Sequence, residues 1–392
     1  MKNFAGTSMF EFINGSEQLL AQYAIKASQV ECNLAIGQPE LDPPEELTEK
    51  LSELICTSGY ARYVPAIGDI KSRQAVADYL SGLGIKNTNY SQVAITNGAR
   101  SMISLILMTL CRPNDQVFWF SPGYTYADTI KILNLCPHEF ETVGPEFNPN
   151  LMSVMKLLGE AKNSGRLGAV IINNPINPTG RVWSPKELEA LADVITKFEV
   201  FVISDETYAG LVFSGSQFIP FASIAGMRKR TITVGSGSKN LRLPAYRLGF
   251  AHGPEFFIQS LAEVVANICG CPNIFALQAT QFLINHDKYV KEQLPLLLSK
   301  RQIIIDWCKK HNLKVAPLQG AFYAFVDFRS ICVDKSLSNT QELADLLLGQ
   351  GVGITPGSAF GRRYDYWVRI SYAGPKDKLI LGLEKISAFI NH

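Results

Sequence analysis

The feature that most constrains the fold of this sequence is a series of short apolar runs between residues 90 and 255, separated by longer amphipathic segments. The runs are VAIT (93–96), QVFWF (116–120), GAVIIN (168–173), VFVIS (200–204), TITVG (231–235) and LGFAHG (248–253). They are continuous rather than alternating, which is typical of strands buried on both faces of a parallel sheet. Intervening segments such as SPKELEALADVITKF (184–198) have helical periodicity. The series predicts an α/β fold in which helices cover both faces of a mostly parallel sheet.

The connection between the last two runs predicts an exception. About a dozen residues separate TITVG from LGFAHG, whereas a parallel crossover needs room for a helix and its two loops. We therefore expect LGFAHG to run antiparallel to its neighbours in the sheet.

The pattern changes near residue 285. A long charged helical segment is followed by AFYAFVDF, a helix near 340–350, WVRISYA and a final helix, which predicts a smaller α+β domain. The first 45 or so residues lack a core of their own, and we expect them to pack with this domain. The predicted division is an N-terminal segment at 1–47, a large domain at 48–284 and a small domain at 285–392.

Composition and charge exclude several classes of protein. Of the 392 residues, 47% are hydrophobic and 18% are charged, with a formal net charge of +2, which fits a globular enzyme and not a disordered chain. Because the sequence has no basic cluster, we expect no nucleic-acid partner. It also has no run of about eighteen apolar residues and no continuous apolar stretch at its N-terminus. We therefore expect no membrane association and a cytoplasmic location.

The eight cysteines and five histidines form no metal-binding pattern. Cys269 and Cys271 are a close pair, but no second pair and no nearby histidine completes a zinc-binding set. The histidines show neither HxH nor HxxxH spacing. We interpret the cysteines as reduced, mostly buried thiols, and we expect no metal ion.

Polar or turn-forming residues follow five of the apolar runs. These clusters are Asn97–Arg100, Ser121–Tyr124, Asn174–Gly180, Asp205–Tyr208 and Ser236–Lys239. Open parallel sheets bind their ligands at the carboxyl ends of the strands. Five such clusters at one edge of the sheet therefore predict one large site.

The cluster around Lys239 resembles a nucleotide-binding loop but lacks the residues that such a loop requires. Ser238 stands where a P-loop needs glycine, and Asn240 where it needs serine or threonine. Asn240 also interrupts a G-x-G-x-x-G fingerprint. The alternative is a lysine that forms a Schiff base, for which pyridoxal 5′-phosphate (PLP) is the corresponding cofactor. PLP needs a carboxylate at its pyridine nitrogen, donors to its ring oxygen, a stacking aromatic ring and a phosphate cradle, and the five clusters contain such groups.

Four motifs carry a family resemblance. They are NNPINPTG (173–180), SDETY (204–208), SGSK-x7-R (236–247) and VRISYA (368–373). In this order and at these separations they resemble the class I/II aminotransferases of PLP fold type I. The match extends from IGQPELDPP, near residue 36, to the C-terminus. It implies a large domain with a mostly parallel seven-stranded sheet containing one antiparallel strand, and a smaller domain built from both termini.

The resemblance implies three catalytic residues. Lys239 would form the Schiff base with PLP and afterwards move a proton between the substrate Cα and the cofactor. Asp205 would keep the pyridine nitrogen protonated. Tyr208, together with Asn177, would donate hydrogen bonds to the ring oxygen.

It also implies the residues that hold cofactor and substrate. The phosphate would be bound by Ser236, Ser238, Arg247 and the backbone N–H groups of Ala99 and Arg100, while we expect the side chain of Arg100 to lie in solvent. Tyr124 would stack on the ring, and Tyr63 would reach the phosphate in a partner subunit, which implies a homodimer with shared active sites. For the substrate, Arg369 would bind the α-carboxylate, assisted by the backbone N–H of Gly37 and by Asn177.

The activity implied is transfer of an amino group between an L-amino acid and a 2-oxo acid by a ping-pong mechanism. A C–S β-lyase or a cyclopropane-forming lyase would share these residues and remains the alternative. A PLP-fold binding protein would carry an added DNA-binding domain, and a nicotinamide dehydrogenase would carry the glycine fingerprint, so neither is favoured.

Two stretches depart from the family pattern. Leu241 and Arg242 replace the usual aromatic–glycine pair after the lysine, and Ala245 replaces a glycine. Segment 268–278 lacks the usual serines and threonines. Three cations, Arg62, Arg100 and Arg242, are candidates for binding an acidic substrate side chain, and the sequence does not rank them.

Overall fold

The computed structural model describes residues 16–57 and 61–391. Its strands are β1 Cys32–Asn33, β2 Val93–Thr96, β3 Gln116–Ser121, β4 Cys136–Val143, β5 Asn148–Pro149, β6 Leu167–Asn173, β7 Phe201–Asp205, β8 Thr231–Ser236, β9 Gly249–His252, β10 Lys314–Val315, β11 Tyr323–Asp327, β12 Val352–Gly353, β13 Thr355–Pro356 and β14 Trp367–Ser371. Its α-helices are α1 Ser16–Ala27, α2 Glu45–Cys56, α3 Ile70–Leu83, α4 Ala99–Leu110, α5 Ala127–Ile132, α6 Leu151–Asn163, α7 Pro185–Phe198, α8 Gly237–Asn240, α9 Glu255–Ile268, α10 Ile274–Thr280, α11 His286–Lys310, α12 Arg329–Asp334, α13 Thr340–Gly349 and α14 Lys376–Asn391.

A large sheet forms the centre of the fold, with the strand order β2-β9-β8-β7-β6-β3-β4-β5. The strands from β8 through β4 in this order are parallel, and β9 is antiparallel to both of its neighbours. The predicted α/β class and the antiparallel LGFAHG run are therefore confirmed. The count of seven strands is wrong by one, because the two-residue strand β5 pairs antiparallel with the end of β4 and is too short to show as an apolar run.

The central strands are buried on both faces, as their continuous apolar pattern predicts. In β3, Val117 and Trp119 pack into the cluster that contains α4 and α9. The alternate residues Phe118 and Phe120 pack into the cluster that contains α6 and α7. Each such side chain contributes about 1.5–3 kcal/mol of hydrophobic free energy, and the two helical layers therefore stabilise the sheet from both faces.

Helix α7 shows how the sequence specifies the boundaries of these elements. Ser184 accepts a hydrogen bond from the backbone of Glu187, whose side chain bonds back to the N-cap residue, and Pro185 occupies the first helical position. This capping box supplies partners for backbone N–H groups that the first turn leaves unpaired. The helix therefore begins at Pro185, a short connection after the NPTG turn that carries Asn177.

The C-terminal part of the chain forms a second, antiparallel sheet with the order β10-β11-β14-β13. AFYAFVDF and WVRISYA supply β11 and β14. The N-terminal residues contact this part of the protein, since β1 pairs with β12 and Tyr23 and Leu34 lie in its hydrophobic cluster.

The described part of the chain contains no helix with the length and apolarity needed to cross a membrane. Within residues 16–57 and 61–391, no three His, Cys, Asp or Glu side chains converge in a way that could hold a metal ion. All eight cysteines are free thiols, and three of them are buried: Cys32, Cys308 and Cys332.

Candidate active site

A cavity of about 480 Å³ lies where the parallel strands of the large sheet end; we call it the strand-end cavity. The predicted site residues that line it are Gly37, Ala99, Arg100, Tyr124, Asn177, Asp205, Tyr208, Ser236, Ser238, Lys239, Arg247 and Arg369. Tyr63 is the predicted residue that lies elsewhere. A larger cavity of about 780 Å³ opens beside Trp119 and Glu139, but none of the predicted site residues lines it.

Lys239 lies in the short helix that follows β8. Its Nζ donates a hydrogen bond to the carbonyl oxygen of Gly37 at 2.6 Å. Burial of the ammonium, followed by the positive charges of Arg369 and Arg247, lowers the pKa of Lys239 from 10.5 to about 8. A larger fraction of the side chain is therefore a neutral amine near neutral pH, which is the form that attacks an aldehyde carbon.

Asp205 is the last residue of β7, and its buried carboxylate is fixed by neighbours. Tyr126 donates to Oδ2 at 2.7 Å, and the hydroxyl and backbone N–H of Thr207 donate to Oδ1 at 2.7 and 3.2 Å. Burial nevertheless raises the pKa of Asp205. The salt bridges found among the described residues do not include Asp205. A buried carboxylate without a cation beside it fits a protonated ring nitrogen as its partner.

Tyr208 and Asn177 come together on another side of the cavity. The amide of Asn177 lies 3.5 Å from the Tyr208 hydroxyl, and Tyr208 shares a hydrogen bond of 3.1 Å with Tyr323. Burial raises the pKa of Tyr208 well above 10. Its phenol therefore stays protonated and able to donate a hydrogen bond across the physiological pH range.

Arg247 meets the N-terminus of α4 at the end of the cavity that Ser236 and Ser238 line. A Cβ on Gly98 would lie 2.4 Å from the Arg247 guanidinium, so only glycine permits this approach. The first backbone N–H groups of a helix lack partners within the helix and attract anions. Together with the Ser236 and Ser238 hydroxyls, which lie 3.0 Å apart, these donors fit a phosphate dianion.

Arg369 projects from β14 and is 3% exposed. It donates to Asn177 Oδ1 at 3.1 Å and to the carbonyl oxygen of Ala35 at 2.5 Å. The guanidinium lies over the rings of Tyr323, at 4.4 Å, and Phe360, at 4.8 Å. Its Nε is buried and has no hydrogen-bond partner in the described part of the protein. This unused donor fits a carboxylate ligand.

Several residues around the site were not identified from the sequence. Tyr126 and Tyr323 contact the predicted residues directly, but nothing in the sequence around them marks a binding role. The position of Tyr323 requires a glycine at residue 37, because a Cβ there would lie 1.8 Å from the Tyr323 hydroxyl oxygen. Helix α1 adds Leu20, Ala21 and Ala24 to the lining. The local sequence does not mark a tyrosine within an apolar run as a binding residue. Its role becomes visible only from the neighbours that the fold brings to it.

The three candidate cations occupy different places. Arg242 is 7% exposed and pairs with Glu292 of α11 at 3.0 Å. It therefore ties the residues after α8 to α11, and it does not line the strand-end cavity. Arg62 lies with Tyr63 in a separate groove. Arg100 lines the cavity and lies over the Tyr124 ring, 5.4 Å from its centroid. The Arg100 side chain is exposed, in keeping with the expectation that it lies in solvent, and it also donates to the Tyr124 hydroxyl.

The fold thus brings a lysine, a buried carboxylate and a buried arginine into one cavity. The family model for aminotransferase class I and II matches residues 30–386, and the chain belongs to this family. The chain is 31% identical to aromatic-amino-acid aminotransferase 2 of Thermococcus litoralis over 90% of each protein. It is 29% identical to an aspartate aminotransferase of Sulfurisphaera tokodaii over 92% of this chain and 90% of the relative.

Solved structures agree with this assignment. The aromatic aminotransferase from Pyrococcus horikoshii OT3 is 28% identical and superposes with a TM-score of 0.85, covering 95% of this chain and 98% of that one. The identification as a class I/II aminotransferase is therefore confirmed, and amino-group transfer is favoured over the lyase alternative. The family implies the use of PLP.

The lowered pKa predicts an unusual pH dependence for Lys239. In the cofactor-free protein, acylation of Lys239 by an amine-reactive reagent, followed by peptide mass spectrometry, should reach half of its maximal rate near pH 8. Below that pH the side chain is an unreactive ammonium. Arg369→Met should move the midpoint upward, because it removes a nearby positive charge. Exposed Lys186 in the same digest is the internal reference. A midpoint near 10.5 would contradict the described burial.

Proposed function

We propose that this protein transfers amino groups between L-amino acids and 2-oxo acids with PLP bound in the strand-end cavity. The observation that carries the proposal is the buried Asp205 carboxylate, which has no cationic partner within residues 16–57 and 61–391. It lies in the same cavity as Lys239, whose pKa is lowered, and Arg369, whose Nε has no partner there. When bound, PLP would supply an aldehyde carbon for amines and a ring that withdraws electrons from the substrate Cα.

The cavity residues would hold the cofactor at three places. Asp205, fixed by Tyr126 and Thr207, would accept the proton of the ring nitrogen. Tyr208 and Asn177 would donate to the ring oxygen. Tyr124 would lie against the ring face. The phosphate would accept hydrogen bonds from Ser236, Ser238, Arg247 and the backbone N–H groups of Ala99 and Arg100 at the start of α4, as supported by the approach of Arg247 to Gly98.

Lys239 would have two tasks. Its neutral amine would bind the aldehyde carbon in the resting enzyme. Once an incoming amino acid has displaced it, the amine would take the proton from the substrate Cα, and a group with a pKa of about 8 suits this exchange near neutral pH. The carbonyl oxygen of Gly37, which accepts a hydrogen bond from Nζ, would orient the amine when it is free.

Arg369 would bind the substrate α-carboxylate, assisted by the backbone N–H of Gly37. Asn177 and the Ala35 carbonyl fix two of its nitrogens, and the rings of Tyr323 and Phe360 hold its plane. The guanidinium therefore reaches its ligand with little rotamer entropy left to lose. Because segment 35–37 also lines the cavity, it would exclude water from the reacting Cα.

The lining of the cavity suggests that acidic and aromatic amino acids are both substrates. Leu20, Ile36 and Ile103 supply apolar surface, and Arg100 is the one of the three candidate cations that lines the cavity. An arginine that lies over Tyr124 can bind a distal carboxylate or leave an aromatic ring between apolar walls. The relatives named above are an aromatic and an aspartate aminotransferase.

We further propose a cytoplasmic homodimer with the domain division 1–47, 48–284 and 285–392. Tyr63 is 97% exposed and lies outside its own strand-end cavity, which suits a residue that completes a partner's site. The eight free thiols fit a reducing compartment. The pairing of β1 with β12 supports an N-terminal segment that packs with the small domain. The molar mass in solution, measured by light scattering, distinguishes a monomer of 43.3 kDa from the proposed dimer.

A half-reaction tests the proposed activity. Holoenzyme given an amino acid without any oxo-acid acceptor should release one equivalent of the matching 2-oxo acid per site, with no free ammonia, because the amino group stays on the enzyme. Adding 2-oxoglutarate should then restart turnover. Continuous release of ammonia and pyruvate from a single substrate would instead show a lyase and overturn the proposal.

Replacing Arg100 tests the proposed side-chain specificity. Arg100→Met should lower kcat/KM for aspartate by about tenfold or more, since a charge-assisted bond is lost, and should change kcat/KM for phenylalanine by less than about threefold. Arg100→Lys is the matched control, since it keeps the charge and should retain most of the aspartate activity. An equal decrease in kcat/KM for aspartate and phenylalanine would show that Arg100 supports Tyr124 and does not bind the substrate side chain.

A further inference from the structure

Lys300 is a buried lysine that does not line the strand-end cavity. It lies in α11 and is 1% exposed. Its Nζ donates to Glu40 Oε2 at 2.8 Å, to the Gly374 carbonyl oxygen at 2.7 Å and to the Ala373 carbonyl oxygen at 3.1 Å. An ammonium has three N–H groups, so each has one acceptor. Such complete pairing of a buried charge indicates that its neighbours are held in one arrangement.

The acceptors of Lys300 belong to the two stretches that form the carboxylate-binding part of the strand-end cavity. Ala373 and Gly374 lie two and three residues after the end of β14, which carries Arg369. Glu40 ends the segment that contains Ala35, whose carbonyl oxygen accepts from Arg369, and Gly37, whose carbonyl oxygen accepts from Lys239.

The beginning of this segment is fixed by backbone hydrogen bonds. Leu34 donates to Gly353 at 2.8 Å and accepts from Ser371 at 2.7 Å. At the other end, Glu40 bonds to Lys300. Residues 35–39, of which Ala35, Ile36 and Gly37 line the cavity, thus run between two anchors, one built from the main chain and one supplied by Lys300.

We propose that Lys300 is a positioning residue for the substrate α-carboxylate: it holds segment 35–40 against the end of β14, so that Gly37 and Arg369 stay at the spacing at which they bind one carboxylate. This inference rests on the proposed function of the strand-end cavity. Lys300 does not touch the substrate, and it acts through Glu40 and the chain that follows Arg369.

Lys300→Met removes this anchor while keeping a side chain of similar length. The side chain of Glu40 is 31% exposed, so its released carboxylate can turn to water and the fold can survive the loss of its partner. The backbone pairing at Leu34 remains. Segment 35–40 should therefore loosen at its downstream end alone.

The chain offers a closely matched control in Lys385. This lysine also pairs with a glutamate of the N-terminal part, Glu31, at 2.9 Å, and with one carbonyl oxygen, that of Gln350. Its side chain is 29% exposed, and neither it nor Glu31 lines the strand-end cavity. Lys385→Met removes the same kind of contact without touching segment 35–40.

The experiment combines steady-state kinetics with hydrogen exchange. In Lys300→Met holoenzyme, KM should rise about tenfold for both the amino acid and the 2-oxo acid, and kcat should change by less than about threefold, because binding of the shared carboxylate is weakened. In the cofactor-free protein, peptides covering 34–41 should exchange faster than in the wild type. Lys300→Arg should restore both values, and Lys385→Met should change neither.

Unchanged KM and exchange in Lys300→Met, or equal changes in Lys385→Met, would overturn the inference. If Lys300→Met does not fold, Glu40→Gln gives the same test from the accessible partner, with an expected rise in KM of about threefold. A wild-type protein without transamination refutes the proposed function instead. In that case the role of Lys300 is still tested by hydrogen exchange and by the dissociation constant for maleate, a carboxylate with no amino or oxo group.

Discussion

The parallel pairing of β7 with β8 is the constraint on which the site depends. Its register sets Asp205 opposite Val234, so β7 ends at the carboxylate while β8 continues for two residues into the short helix that carries Lys239. On the other side of β7, Asn173 of β6 pairs with Asp205 and leads into the turn that carries Asn177. Three neighbouring strands therefore deliver an acid, an amine and an amide to one cavity, and this geometry belongs to the sheet rather than to flexible loops.

Burial then gives these groups their chemistry. The same exclusion of water raises the pKa of Asp205 and lowers that of Lys239, because burial disfavours the charged form of each. A cationic ligand beside Asp205 would lower the pKa of this carboxyl group again. The hydrogen bonds from Tyr126 and Thr207 already favour the ionised form of Asp205. Arg369 is supported from both ends of the chain, by Ala35 and by β14. Lys300 joins the same two parts of the chain through Glu40 and Gly374.

Much of this arrangement can be predicted from the sequence, because it follows from local patterns. Continuous apolar runs identify the buried strands, and the polar residues after them identify the strand-end cavity with Asp205, Asn177 and Lys239. What escapes prediction depends on long-range packing. The half-buried β4 and the two-residue β5 have no distinctive pattern. Tyr126, Tyr323 and Lys300 gain their roles only from partners 79, 115 and 260 positions away. Arg242 is similar, since its partner Glu292 lies on a helix in another part of the sequence.

The central claim is that Lys239 is the residue that binds the cofactor's aldehyde carbon. The direct measurement is to load the protein with PLP, reduce it with borohydride, digest it and locate the pyridoxyl group by peptide mass spectrometry. We predict one stable adduct per chain, on Lys239, and none on the Lys239→Ala protein under the same conditions. An adduct on another lysine, or none on the wild-type chain, would contradict the account.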